Sequence, residues 1–246
     1  MSGHSKWHNI KLKKGKVDAQ RGALFTKLSK EIILAAKNGS PDPSANYRLK
    51  MAVDKARANN MPADNIKRAI SRAGGAGEKE IEEIRYEGYG PAGIAVIVDA
   101  ATDNRNRTAS EIRFLFSRND GTLGETGSVG WMFASRGIVE VEPGKLSEDE
   151  LTEKALVDGV IDVRFGEPAE VVTEMQSLMA VKDALEARGL QVRSAQLAME
   201  PTQTSRPAGD DAQKVLTFLD ALDEHEDVQR VYSNADFDEA QLEALA

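Results

Sequence analysis

Near the start of the chain, Lys6, Lys11, Lys13, Lys14 and Lys16 surround one large aromatic, Trp7, with His8 beside it, and no acid occurs among the first sixteen residues. Ammonium groups neutralise phosphates and an indole offers a stacking face to an unpaired base. The combination points to nucleic acid, and more to RNA or single strands than to duplex DNA. Arg21, Lys27, Arg48, Lys55, Arg57, Lys67 and Arg68 extend the basic character beyond this tail. Amphipathic helices commonly carry Lys and Arg outward simply for solvation, but recurrence on the tail and on three successive helices argues against that reading for the set. Arg105 and Arg107 form a further pair in TDNRNRT. They could cradle phosphate beside a helix start or equally pair with neighbouring carboxylates.

Other chemistry finds little support. Gly88, Gly90 and Gly93 satisfy G-x-G-x-x-G literally, but a dinucleotide site needs those glycines to open a helix facing pyrophosphate. Here they lie between two expected strands, where Pro91 suits a hairpin turn. His4 and His8 have i,i+4 spacing without a third ligand nearby, and His225 in DEHED reads as a solvated helix-end residue. No Walker loop, nucleophile elbow or zincin helix occurs. The chain has no cysteine, which removes thiol nucleophiles, disulfides and Cys-ligated zinc. No catalytic residue, metal, cofactor or small-molecule substrate is expected, and the protein reads as a non-enzyme.

The elements that must carry the basic residues follow from periodicity. Residues 1–75 hold 16 Lys and Arg against 5 Asp and Glu, net +11, whereas residues 76–246 hold 16 against 35, net −19, so the overall −8 conceals a basic head on an acidic body. Leu24, Phe25, Leu28, Ile32 and Ala36 predict a helix from Asp18 to Asn38-Gly39. A second helix is expected after Asp42-Pro43, with Asp as N-cap, and a third from Pro62 to Gly74-Gly75. Beyond a linker, IRYEGY and GIAVIVDAA predict strands, Thr108 with Glu111 fits a capping box, and SVGWMF suggests another strand.

Residues 137–199 read as strand, helix, strand, strand, helix, strand, the order of a split βαβ. A helix over 210–224 and a strand over 228–232 remain to complete the middle unit. The fold class is therefore α+β: a three-helix bundle followed by two α/β, ferredoxin-like domains, one inserted in the other. The expected division is 1–75 for the basic tail and nucleic-acid-binding bundle, 76–136 plus 200–246 for the middle domain, and 137–199 for the insert. With 246 residues, 41% hydrophobic and 29% charged, no bilayer-spanning run and no signal-peptide pattern, the chain reads as globular and cytoplasmic.

GHSKWHNI at 3–10, RGALFTKLSKEI, AVDKARANNMP at 52–62, YEGYGPAG at 86–93 and DNRNRT at 103–108 together resemble the YebC/PmpR family. Its mitochondrial members include the translational activator of cytochrome c oxidase I. The resemblance spans essentially the whole length and implies a helical N-terminal domain and two α/β domains, one inserted in the other. It implies a non-enzymatic activity as well: DNA-binding transcriptional regulation, with a link to translation through RNA or ribosome contact. The absence of an extended presequence implies a bacterial-type cytoplasmic form. The partner expected is nucleic acid, either promoter DNA or ribosomal or messenger RNA, with the ribosome as a further candidate and no membrane. A tail with Trp7 can thread between RNA elements, and no helix of the bundle shows an obvious base-reading face, which favours structured RNA physically. The alternative is a protein-interaction scaffold with an incidental basic tail.

Overall fold

The computed structural model describes residues 18–74 and 80–237, with side chains from Gly22 onward. Helix α1 (Asp18–Lys37) runs through the expected apolar stripe, but its last turns are buried all round: Ile32, Ile33, Leu34, Ala35 and Ala36 are all in the core. One side meets α2 (Tyr47–Ala58) and α3 (Ala63–Arg72), and the other meets the body of the protein. Ile81 and Ala101 from the body complete the bundle's apolar cluster. The basic head thus shares its core with the acidic body.

Helix α2 starts later than expected. Asp42 accepts from the Ser44 N–H at 2.9 Å and so closes the turn around Pro43. Asn46 is the actual cap, its Oδ1 accepting from the Leu49 N–H at 3.1 Å while its Nδ2 donates to the Ala35 and Ser40 carbonyls at 2.8 and 2.7 Å. One amide therefore both starts α2 and ties it to the end of α1.

The middle domain contains β1 (Glu82–Tyr89), β2 (Ala95–Thr102), α4 (Arg105–Arg118) and β3 (Thr122–Leu123), and is completed near the C-terminus by α7 (Asp210–Glu224) and β8 (Val228–Ser233). Its antiparallel sheet has the order β3-β1-β2-β8. Val96 and Val98 on one face of β2 pack with Ile112, Phe116, Phe218 and Leu219 of the two helices. Phe116 and Phe218 meet edge to face, ring centres 4.9 Å apart. Ala95 and Ile97 on the opposite face join Val129, Phe133 and Tyr232. Burial on both faces explains why this strand reads as an almost unbroken apolar run.

Two local expectations change. The helix expected at a Thr108 capping box begins at Arg105, because Asn104 precedes it and accepts from the Arg107 N–H at 3.2 Å. SVGWMF is a turn up to Met132, with only Phe133 in a strand: the buried Glu87 carboxylate accepts from the Val129 and Gly130 N–H groups at 3.0 and 2.6 Å and holds Gly130–Met132 in a 3-10 turn. Strand β4 (Phe133–Glu142) starts only after it. One edge of the sheet is instead the short β3, and the other is β8.

The second sheet holds β4, β5 (Val160–Arg164), β6 (Ala169–Glu174) and β7 (Gln191–Pro201) in the order β5-β6-β4-β7, with helices α5 (Glu148–Ala155) and α6 (Leu178–Ala187). In chain order this is 4-1-3-2 with every neighbour antiparallel, the split βαβ arrangement read from the sequence. Ser147 and Glu150 form a reciprocal capping box at α5. The long strands β4 and β7 pair from Phe133–Pro201 to Glu142–Gln191 and reach back to the first sheet, so residues 137 and 199 lie within strands. No helix among the described residues is long and apolar enough to cross a membrane.

Candidate nucleic-acid interface

Lys6, Trp7, His8, Lys11, Lys13, Lys14 and Lys16 lie outside the described residues, and the Arg21 side chain is likewise not described. Of the other basic residues singled out from sequence, several face acids of the same chain. Lys27 on α1 donates to the Asp223 carbonyl at the end of α7, with the Asp223 carboxylate at 3.9 Å. Arg48 pairs with Glu83 of β1, Lys55 with Glu31 at 3.3 Å, and Arg57 with Asp54 at 3.3 Å. Arg68 bonds the Asn65 side chain at 2.7 Å within its own helix, and Arg105 reaches Glu82 at 3.4 Å. Lys37 meets Glu80, and in the reverse sense Glu31 of α1 meets Arg230 of β8 at 3.7 Å. The bundle is thus docked on the body by charge as well as by Ile81 and Ala101.

The centre of this docking is Asp227, just ahead of β8, whose side chain is 0% exposed. It accepts from the Lys30 ammonium, from the Arg107 guanidinium at 2.9 and 3.2 Å, and from the Thr108 hydroxyl at 2.6 Å. Burial pushes its pKa up, but these three donors outweigh it and hold the carboxyl at about 2. Arg107 is additionally flanked by Asp103 at 3.4 Å and Glu111 at 3.9 Å. Of the two readings open for Arg107 in the sequence, the structure shows the carboxylate partners. Thr108 sits buried within α4, where its hydroxyl serves Asp227.

His225, at the end of α7, has little solvent contact: Nε2 lies 3.0 Å from Glu111 Oε2, and Nδ1 accepts from the Asp227 N–H at 3.1 Å. Glu111, His225 and Asp227 place three potential metal-ligating atoms within 4.8 Å of one another. Asp227 is already saturated by protein donors, and the neighbouring Lys30 and Arg107 charges would oppose an added cation. The group fits a hydrogen-bonded joint better than a metal centre.

Other cations remain open to solvent. Lys50 on α2 and Lys67 on α3 are exposed and have no bonding partner among the described residues. The same holds for Arg113 and Arg118 on α4, which flank Phe114, 61% exposed. This last trio is absent from the sequence-derived set, because one aromatic in an amphipathic helix reads as core; its position next to Arg113 and two residues before the buried Phe116 was the available signal. Asp227 was missed as well, since an acid within DEHED looks like solvated surface. Gly90, in the glycine motif, lies in the β1–β2 hairpin, where a side chain would collide with Phe218. The motif makes a turn there and opens no α-helix.

The description "TACO1/YebC protein N-terminal domain" matches residues 5–76, and "TACO1/YebC second and third domain" matches residues 81–235. A protein of Chlorobium luteolum named "Probable transcriptional regulatory protein" is 49% identical over 250 residues, covering 100% of this chain and 99% of the relative. A protein of Rubrobacter xylanophilus with the same name is 49% identical over 249 residues, covering 100% of both. The crystal structure of a conserved hypothetical protein from Aquifex aeolicus superposes with a TM-score of 0.83 at 45% identity, covering 92% of this chain and 95% of that one. With both family regions matched and these likenesses running from end to end, the chain belongs to the TACO1/YebC family.

Proposed function

We propose that this protein is a non-enzymatic, cytoplasmic regulator of gene expression that works by binding nucleic acid, with the lysine- and tryptophan-bearing tail making first contact and the outward faces of α2 and α3 extending it. The observation that carries this reading is the exposure of Lys50 and Lys67, unpaired among the described residues, on the helices that follow a tail of five lysines. Cations that are not neutralised by their own chain are the ones available to release counterions from a polyanion. The name carried by the relatives, "Probable transcriptional regulatory protein", supports a regulatory role. Structured RNA is the physically favoured target, because the Trp7 indole serves an unpaired base better than a duplex. Promoter DNA is the competing target.

The test is salt-dependent binding of the full-length protein and of a variant lacking residues 1–20 to matched RNA and DNA probes. Loss of affinity on deletion, with affinity falling steeply as salt rises, is expected. Binding that is indifferent to both the deletion and salt would overturn the reading. A second reading, a protein-binding role for the inserted domain, is favoured by the exposure of Leu156, Ile161, Phe165, Met175 and Met179 on that acidic unit. It is compatible with the first, since the acidic unit is poorly suited to touching a polyanion.

A further inference from the structure

We propose that the outer face of α4 is a second RNA contact, in which Phe114 stacks an unpaired base and Arg113 and Arg118 hold its flanking phosphates. This rests on the nucleic-acid reading above and adds a site on the middle domain that recognises bases. Helix α4 buries Thr108, Ile112 and Phe116 and turns Phe114 outward. A phenyl ring left in water contributes little to folding and is free to serve a ligand. Helical spacing places Arg107, Glu111, Phe114 and Arg118 along one stripe, with Arg113 about 100° further round the helix, where only its long side chain can reach towards a strand lying across the ring.

The same ring forms a wall of a shallow groove of about 480 Å³, lined also by Ser110, Glu111, Leu115, His225 and Glu226. The lining is mostly apolar, as a stacking site requires, with carboxylates at the rim that can accept hydrogen bonds from a base amino group. Glu111 repels phosphate weakly, since it is bonded to His225 and lies 3.9 Å from the Arg107 guanidinium. Arg113 and Arg118, unpaired among the described residues, supply the phosphate contacts. The occupant is RNA rather than genomic DNA because only an unpaired base exposes a face to a protruding ring, and RNA loops present such bases while duplex DNA does not.

The experiment compares the full-length protein with Phe114→Ala, with Arg113→Ala/Arg118→Ala, and with a variant in which Lys11, Lys13, Lys14 and Lys16 are all alanine. The probes are an RNA hairpin with an unpaired loop, its fully paired stem, and a DNA hairpin of the same loop sequence. Phe114→Ala should weaken the RNA hairpin roughly tenfold and leave the paired stem unchanged, with the thermal midpoint unaltered because the ring is exposed. The double arginine variant should weaken both RNA probes and flatten the salt dependence. If both α4 variants bind the loop like the parent while the lysine variant loses binding, the α4 site is overturned and the nucleic-acid reading stands. Equal loss by Phe114→Ala on the RNA and DNA hairpins supports base stacking but overturns the choice of RNA. If the parent protein binds none of the probes, both readings fall.

Discussion

Lys30 on α1 and Asp227 ahead of β8 bond to each other from opposite ends of the chain, and the carboxylate they share with Arg107 and Thr108 has no contact with solvent. Removing the acid leaves the nearly buried Lys30 without a carboxylate and Arg107 with only Asp103 and Glu111. Asp227→Ala should therefore destabilise the protein by about 3–5 kcal/mol, read as a lowered midpoint in urea unfolding. A stability within about 1 kcal/mol of the parent would show that the joint carries little of the fold.

Acid should loosen the same joint. Asp227 titrates at about 2 in the folded protein and near 3.8 when unfolded, so its contribution is complete above about pH 4 and disappears as pH falls towards 2. That contribution is about 2 kcal/mol. The buried Glu87, held below the ordinary range by backbone N–H groups despite its burial, acts with the same sign. Stability measured between pH 5 and pH 2 should fall more steeply in the parent than in Asp227→Asn.

Paired and unpaired cations should separate in mutagenesis. Lys67→Ala removes a charge with no partner among the described residues, and should weaken nucleic-acid binding while reducing the salt slope by about 1. Its stability should stay within about 0.5 kcal/mol of the parent. Arg48→Ala removes a half-exposed pair with Glu83 and should affect binding less, with a stability cost of about 0–1 kcal/mol. Titrations at several salt concentrations alongside thermal melts distinguish the two.

The glycine motif should behave as packing. At Gly90 a Cβ would stand 2.5 Å from Cε1 of Phe218, a ring already wedged against Phe116. Gly90→Ala should cost about 1–3 kcal/mol through overpacking. Neither the parent nor the variant should gain thermal stability from added dinucleotide; a saturable rise in the melting temperature would restore the nucleotide reading.

Periodicity made most of the architecture legible. The stripes on α1, α2 and α3, and the strand–helix order after residue 137, depend on spacing within short segments. What sequence could not show depends on partners far along the chain. Asp227 looks like its acidic neighbours until β8 is laid beside β2 and α1 is docked on top. SVGWMF has the composition of a strand, but Glu87 claims its backbone N–H groups first. Thr108 satisfies a capping pattern that Asn104 pre-empts four residues earlier. The outward ring of Phe114 is a matter of helix phase, which is set by Ile112 and Phe116 packing into the core.

The pairing of Phe133 with Pro201 bears on how the chain finds its fold. Strand β8 must return to β2, placing Val231 against Val98 after most of the chain has intervened. Such distant pairing is slow, because the loop between the partners loses entropy before any contact rewards it. If the second sheet forms first, it brings Phe133 and Pro201 side by side and shortens that loop from within. The inserted unit then acts as a pre-formed clasp, and the last strand has only a short search left to complete the first sheet.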